Sequence, residues 1–128
     1  MNKQLTSDFA TNQQMIDEIF HPQLSYDLML RSFVIAQRPA CFYMIDGLHK
    51  DDILEKIMDS FFSVTPDTMP PSVQAFSNLM IPYGEVELVK DSDSLTTALL
   101  SGVPILIIDG YEQALAIDFR TYPARSIE

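Results

Sequence analysis

Residues 103–119 constrain the fold more than any other stretch of this sequence, because an uninterrupted apolar run there is followed by a turn. The run Ile105–Ile108 is typical of a strand that is covered on both faces. Asp109 and Gly110 then predict a turn, since glycine adopts positive φ without a Cβ penalty. Beyond it, the apolar residues alternate with a period of two as far as Phe119. The stretch therefore predicts a hairpin whose first arm is a central strand.

A second segment has the same form. Residues 41–45 are apolar and are followed by Asp46 and Gly47, so that both runs end in Ile-Asp-Gly. We expect one sheet with both turns on one edge, where the side chains of Asp46, Asp109 and Asp118 could converge. Aspartate before glycine is a preferred turn residue whose carboxylate accepts hydrogen bonds from nearby backbone amides. We therefore interpret Asp46, Gly47, Asp109 and Gly110 as structural turns.

Helical periodicity appears in four other places. The predicted helices cover residues 7–20, 51–62, 71–80 and 95–101. In the third helix the predicted buried side comprises Val73, Phe76, Leu79 and Met80. Further strands are expected at residues 27–36 and 85–89.

The order of these elements predicts an α/β fold. Strand–helix–strand units favour parallel pairs, whereas a tight connection such as residues 37–40 favours an antiparallel pair. We therefore expect a mixed sheet of four to five strands flanked by helices. With 128 residues, a single small domain is the expected organisation.

The charge of the chain excludes some partners. Lys and Arg number only 8 against 18 Asp and Glu, for a formal net charge of −10. So few cations cannot form a phosphate-binding surface, and we expect no nucleic-acid partner. Anionic lipid headgroups would also repel such a domain. Since no apolar stretch reaches the roughly 18–20 residues of a membrane helix, we expect this part of the protein not to be inserted in a membrane.

Signals of enzyme chemistry are weak. The sequence has no glycine-rich phosphate loop and no Gly-x-Ser-x-Gly motif. His21 and His49 stand apart from other metal ligands, and Cys41 lies in an apolar strand. We expect no catalytic, cofactor-binding or metal-binding residues. One alternative stays open, an acid–base hydrolase that uses Asp46 and Asp109, whose carboxylates would have to lie roughly 5–10 Å apart.

One cation stands out among the apolar residues. Arg31 interrupts a predicted strand, so it must extend its charge to solvent or pair with a carboxylate. Asp118 and Asp27 are the partners we consider for a structural role. An acidic ligand or partner chain would instead make Arg31 functional.

The end of the chain carries a recognisable motif. Residues 120–128 read Arg-Thr-Tyr-Pro-Ala-Arg-Ser-Ile-Glu, after Ala-Leu-Ala-Ile-Asp-Phe at residues 114–119. With Asp27 and Arg31 around apolar residues, and with both Ile-Asp-Gly segments, this resembles the N-terminal region of the spore germination A-subunit family. The resemblance extends from the first helix to Glu128. Within the family, the chain is most similar to a sporulation-expressed relative of the germinant-receptor A subunits.

The resemblance implies a place in a larger protein. Family members carry soluble α/β subdomains followed by a multi-helix membrane domain in the inner membrane of the spore. Residues 1–119 would form one soluble subdomain on the cytosolic side, and residues 120–128 would lead towards a second soluble portion and the membrane domain. The implied function is an interaction or sensing module in germination, without a cofactor. Its partners would be the rest of its chain and other germination subunits, with a possible oligomer; the alternative is a free-standing regulator that binds another protein.

Residues 120–128 supply the candidate interaction residues. Arg120, Tyr122 and Arg125 follow directly after the last predicted strand of an acidic domain. The planar guanidinium of arginine binds carboxylates at two points, which favours it at interfaces. We expect Arg125 in particular to dock onto the following portion of the protein. The alternative is an exposed segment whose arginines pair with the acids of this domain.

Overall fold

The computed structural model describes residues 2–20, 28–45, 51–80 and 85–118, with the side chains of residues 51–54 and 80 left aside. These ranges contain four helices and five strands. The helices are α1 (Phe9–Phe20), α2 (Asp51–Phe62), α3 (Val73–Met80) and α4 (Ser92–Leu100). The strands are β1 (Leu28–Ile35), β2 (Arg38–Ile45), β3 (Glu85–Val89), β4 (Ile105–Ile108) and β5 (Ala114–Asp118). The predicted α/β class, the strand number and the flanking helices are confirmed.

The strands form one sheet in the order β1-β2-β4-β5-β3. Strand β4 lies at its centre, and its side chains are at most 1% exposed, as the apolar run predicted. Every neighbouring pair is antiparallel, so the prediction of a mixed sheet was wrong in this respect. The unit β3–α4–β4 does join two strands of the same direction. Strand β5 lies between them, however, and no parallel pair forms among the described strands.

The helices cover the sheet in two layers. Helices α2 and α3 pack on the side chains of one face, which includes Phe42, Leu106 and Leu115. We call this the α2/α3 face. Helices α1 and α4 pack on the other face, which includes Tyr43 and Ile107. We call this the α1/α4 face. A strand alternates between its faces residue by residue, which explains why neighbours such as Phe42 and Tyr43 belong to different cores.

Two local predictions differ from the structure. In α3, Leu79 is 70% exposed, whereas Val73, Phe76 and Ser77 are buried. Because successive helical residues are rotated by about 100°, Leu79 lies roughly 110° from the middle of the side that Val73, Phe76 and Ser77 share. Helix α4 begins at Ser92, not at residue 95, because the Asp91 carboxylate caps it by accepting a hydrogen bond from the Ser94 amide at 2.9 Å.

The turn between β1 and β2 is shorter than predicted. Ile35 pairs with Arg38, so Ala36 and Gln37 alone form the connection, and β2 begins before the expected residue 41. Both turn residues have positive φ, 51° for Ala36 and 69° for Gln37. Two-residue hairpins with this backbone usually contain Asn or Gly, and because both are missing here, the residue types do not indicate a tight turn.

Candidate functional site

The turn after β4 connects the sheet to the start of α1. The Asp109 Oδ1 atom accepts a hydrogen bond from the Phe9 amide at 3.0 Å, and the Gly110 amide donates to the Ser7 carbonyl at 2.8 Å. The Asp8 carboxylate adds a second cap by accepting from the Thr11 amide at 3.0 Å. The first turn of a helix has unpaired amides and favours negative charge. Asp109 therefore serves as a cap for a helix that lies 100 residues earlier in the chain.

Arg38 and Tyr111 pack around the same turn. The guanidinium carbon of Arg38 lies 5.5 Å from the centre of the Tyr111 ring, within cation–π range. Arg38 Nη1 also donates to the Asp109 carbonyl at 3.4 Å. Gly110 has a φ of 95°, and a Cβ on it would lie 2.7 Å from Arg38 Nη1. Glycine is thus favoured here by the backbone conformation, whereas the contact with the end of the flexible Arg38 side chain could be relieved by a small movement of that side chain.

This geometry bears on the two-carboxylate alternative. The Asp109 side chain is half-buried and accepts from the Phe9 amide, which is a structural use of the carboxylate. Asp46 and Gly47 lie outside the described residues. The expectation that both turns lie on one edge was wrong, because β2 and β4 pair antiparallel, with Ala40 opposite Ile108 and Tyr43 opposite Ile105, so that Ile45 and Asp109 lie at opposite ends of the sheet. The acid–base alternative, which requires the Asp46 and Asp109 carboxylates to converge, therefore has no support in this topology.

A groove that the sequence reasoning missed lies beside β3. It has a volume of about 580 Å³ and is open to solvent between β3, α4 and the end of β5. Carboxylates of Glu85, Glu87, Asp93 and Asp118 line it. Its acidic lining would favour cationic groups over anionic ones. The alternation of Glu85 and Glu87 along a strand was the available signal, but the approach of α4 depends on tertiary structure.

The α1/α4 face contains two polar groups within its core. The Cys41 thiol is buried, and desolvation raises its pKa, so the thiol stays protonated and is a poor nucleophile. The Tyr43 hydroxyl is also buried, and no described residue bonds to it with good hydrogen-bond geometry, although the side chains of Gln13 and Cys41 lie close to it. Desolvation is the main cause that raises the pKa of Tyr43, and Cys41 and Asp17 raise it further. Both residues are accounted for by the core, and within the described ranges no cluster of His, Cys, Asp or Glu suits a metal ion.

The other candidate residues fall into two groups. Arg31 is exposed, and its Nη1 atom lies 4.0 Å from the Met58 sulfur. The proposed pair with Asp118 was wrong, because two strands separate β1 from β5 and place them roughly 14 Å apart. The remaining candidates lie outside the described residues: Asp27, His21, His49, Arg120, Tyr122 and Arg125.

Comparison with known proteins places the chain in a family. A family model described as "Bacillus/Clostridium GerA spore germination protein" matches residues 14–128. Stage V sporulation protein AF of Bacillus subtilis (strain 168) is 29% identical over 121 residues, or 93% of this chain. The resemblance that the motifs predicted is confirmed.

A solved structure shares the fold. The crystal structure of the N-terminal domain of the A subunit of the Bacillus megaterium spore germinant receptor GerK3 superposes with a TM-score of 0.77 over 96% of this chain, at 19% identity. The chain spans 49% of that domain and 24% of stage V sporulation protein AF. Among the described residues, none of the helices has the length and apolar character needed to cross a membrane.

Proposed function

Because this chain belongs to the Bacillus/Clostridium GerA family of spore germination proteins, we propose that it is the N-terminal interaction or sensing module of a longer germination protein. The family match over residues 14–128 is the observation that carries this proposal. The common fold with part of the GerK3 N-terminal domain supports the same position within the longer protein.

The proposal has a spatial component. Residues 1–119 form a soluble subdomain at the cytosolic face of the inner spore membrane. Residues 120–128 connect it to a second soluble portion, which precedes the membrane domain. Arg120, Tyr122 and Arg125 contact that second portion or another germination subunit. The acidic character of the module supports this arrangement, because a net charge of −10 disfavours direct adsorption to anionic lipid.

The role we propose is binding, without catalysis. Asp109, the most conspicuous carboxylate of the sequence, caps α1. The buried and protonated Cys41 thiol is unsuited to nucleophilic attack. The module would act by presenting surfaces to other parts of the germination apparatus, and it would contribute to assembly or to the signal that releases ions.

The test is made in spores, in the native gene. Codons 2–118 are removed in frame, and two quantities are measured: the co-purification of other germination subunits with the remaining protein, and the fall in optical density of spores exposed to a germinant. We expect both to decrease. A matched control, Leu79→Ala, changes one exposed side chain on α3 and should leave both unchanged.

The outcome also separates the two roles. A slower fall in optical density with normal co-purification would favour sensing over assembly. If neither quantity changes when the module is absent, the proposal is wrong.

A further inference from the structure

Residues 2–20 lie at the start of the chain and outside the sheet. The five strands fall within residues 28–118, and among the described residues this first segment adds to them only an isolated bridge between Gln4 and Asp91. The segment can therefore leave the sheet without breaking any pair of strands. We call residues 2–20 the N-terminal cover, because α1 within it packs over β4 on the α1/α4 face.

Hydrogen bonds fasten the N-terminal cover at two places near its start. At the beginning of α4, the Lys3 amide donates to Ser92 Oγ at 2.8 Å. At the turn after β4, the Asp109 carboxylate accepts from the Phe9 amide. Both bonds are only partly buried, so water can replace them when the cover opens.

Helix α1 is supported on one flank. Helix α4 packs against it on that side. On the other side the sheet continues into β1, whose Leu30 and Val34 pair with Tyr43 and Pro39 and share their face. These two side chains of β1 are 48% and 56% exposed. Within the described ranges nothing packs over this part of the sheet, so α1 borders solvent there.

Two polar groups lie beneath the N-terminal cover. The Tyr43 hydroxyl is buried without a well-placed hydrogen-bond partner, and the buried Cys41 thiol lies close to it. The charge of Asp17, on α1, raises the pKa of both groups, which is consistent with a position of α1 above them. A buried hydroxyl without a partner is unfavourable, and water bonds to it once the cover opens. The opposite face has no such disadvantage at Tyr111, whose hydroxyl donates to the Pro70 carbonyl.

We propose that the N-terminal cover opens as one unit while the five strands and helices α2, α3 and α4 stay folded. Proteins open locally with free energies that range from near zero at their termini up to that of global unfolding. Opening uncovers Cys41, Tyr43 and Ile107, which then extend the exposed surface of Leu30 and Val34. The domain thus has a closed state that withholds this surface and an open state that presents it. This behaviour belongs to the domain itself and does not depend on its role in germination.

Cys41 reports on the N-terminal cover, because it is the only cysteine of the sequence and is buried on the α1/α4 face. N-ethylmaleimide at low concentration labels the thiol only when it is uncovered. The labelling rate, divided by that of the unfolded chain, gives the equilibrium constant for opening. We expect this constant to exceed that of global unfolding by roughly a hundredfold or more. It should also depend less on denaturant, since opening of the cover exposes less surface.

The matched control moves the thiol to the other face of the same strand. Cys41→Ala combined with Ala40→Cys places it on the α2/α3 face, where Ala40 is 1% exposed. Labelling of this variant should follow global unfolding. Amide hydrogen exchange gives the same comparison without a substitution. The amides of Leu5 and Ile16 should share the opening constant of Cys41, whereas that of Leu106 should exchange more slowly.

Two further substitutions distinguish opening of the cover from global unfolding. Asp109→Ala removes the acceptor of the Phe9 amide and should accelerate the labelling of Cys41 by roughly tenfold. Tyr111→Phe weakens the opposite face and should accelerate labelling of the thiol at position 40 by roughly fivefold, with no change at Cys41.

Three results would overturn the proposal. The first is an equal opening constant for Cys41 and for the thiol at position 40, and the second is an equal acceleration of both by Tyr111→Phe. The third is a different opening constant for the Leu5 and Ile16 amides, since residues 2–20 would then not open as one unit. Circular dichroism verifies that each variant is folded. If the variant with Ala40→Cys does not fold, equal exchange of the Ile16 and Leu106 amides rejects the proposal by itself.

Discussion

The two faces of the sheet are stabilised in different ways. On the α2/α3 face, aromatic rings pack against one another. The centre of the Phe61 ring lies 6.2 Å from the ring centre of Phe33, 6.4 Å from that of Phe42 and 5.2 Å from that of Phe76. Tyr111 ends this row, and its hydroxyl donates to the Pro70 carbonyl at 2.6 Å. On the α1/α4 face the core is mainly aliphatic. One face thus combines ring packing with a satisfied hydroxyl, whereas the other contains a hydroxyl without a described partner.

On the α1/α4 face, hydrogen bonds from the start of the chain add to the stability that core packing provides. The Leu5 amide donates to the Lys90 carbonyl at 2.8 Å, and the Ser92 amide donates to the Lys3 carbonyl at 2.7 Å. The Asp109 carboxylate holds the first amide of α1. The comparison teaches that one face depends on side-chain packing, and that the other depends more on backbone and cap hydrogen bonds to residues 2–9.

The largest expected effect tests the ring packing. Phe61→Ala should lower the free energy of unfolding by about 3–5 kcal/mol, since a buried ring is replaced by a cavity and its ring contacts are lost. Leu99→Ala, at an equally buried site on the other face, should cost less, at about 2–3 kcal/mol. Denaturant unfolding of both variants measures the difference. An equal or larger loss for Leu99→Ala would remove the distinction between the faces.

A smaller effect concerns the cap. Asp109→Ala leaves the Phe9 amide without its acceptor, and the free energy of unfolding should fall by about 1–2 kcal/mol. Hydrogen exchange of the α1 amides should accelerate more than that of the α2 amides, because the loss is local to the α1/α4 face. Uniform acceleration in both helices would contradict a local role for this cap.

Tyr43 and Tyr111, the buried tyrosines of the described residues, give a matched pair of substitutions that should change the free energy of unfolding in opposite directions. Tyr111→Phe leaves the Pro70 carbonyl unpaired and should destabilise the fold by about 1 kcal/mol. Tyr43→Phe removes a buried hydroxyl that has no described partner, so it should stabilise the fold by up to about 1 kcal/mol. Both substitutions delete one oxygen and keep the ring. Destabilisation by Tyr43→Phe would mean that this hydroxyl has a partner in the folded protein.

Strong local patterns made much of the fold predictable. The run Ile105–Ile108 indicated a central strand, and it is buried on both faces because helices cover both. Helical periodicity predicted α2, in which Ile57 and Phe61 are fully buried, whereas Phe62, which shares the apolar pattern, is 57% exposed. Such patterns show which side of a segment is buried, so its secondary structure can be predicted without knowing which segments pack against it.

The features that were not predicted depend on distant segments. The insertion of β5 between β3 and β4 follows from how the whole chain packs, and no local pattern encodes it. The positive φ at Ala36 is imposed by the flanking strands, since alanine does not favour that conformation by itself. For Asp109, turn chemistry was foreseen from the following glycine, but its partner Phe9 is brought close only by the tertiary fold.

The smallest expected effect tests the central claim, that this domain acts through its fold and surfaces and that Asp109 is structural. Asp109→Asn keeps the oxygen that accepts from the Phe9 amide, and asparagine caps helices about as well as aspartate. It abolishes any acid–base function, because an amide does not exchange a proton as a carboxyl group does. The variant is made in the native gene and in the isolated chain. Germination is measured in spores, and unfolding is measured in solution.

We predict that the free energy of unfolding changes by less than about 0.5 kcal/mol and that spores germinate at the normal rate. Asp109→Ala in parallel shows what loss of the cap alone does to both measurements. A folded Asp109→Asn protein of normal stability whose spores fail to germinate would contradict the account. That result would indicate a catalytic role for the Asp109 carboxylate.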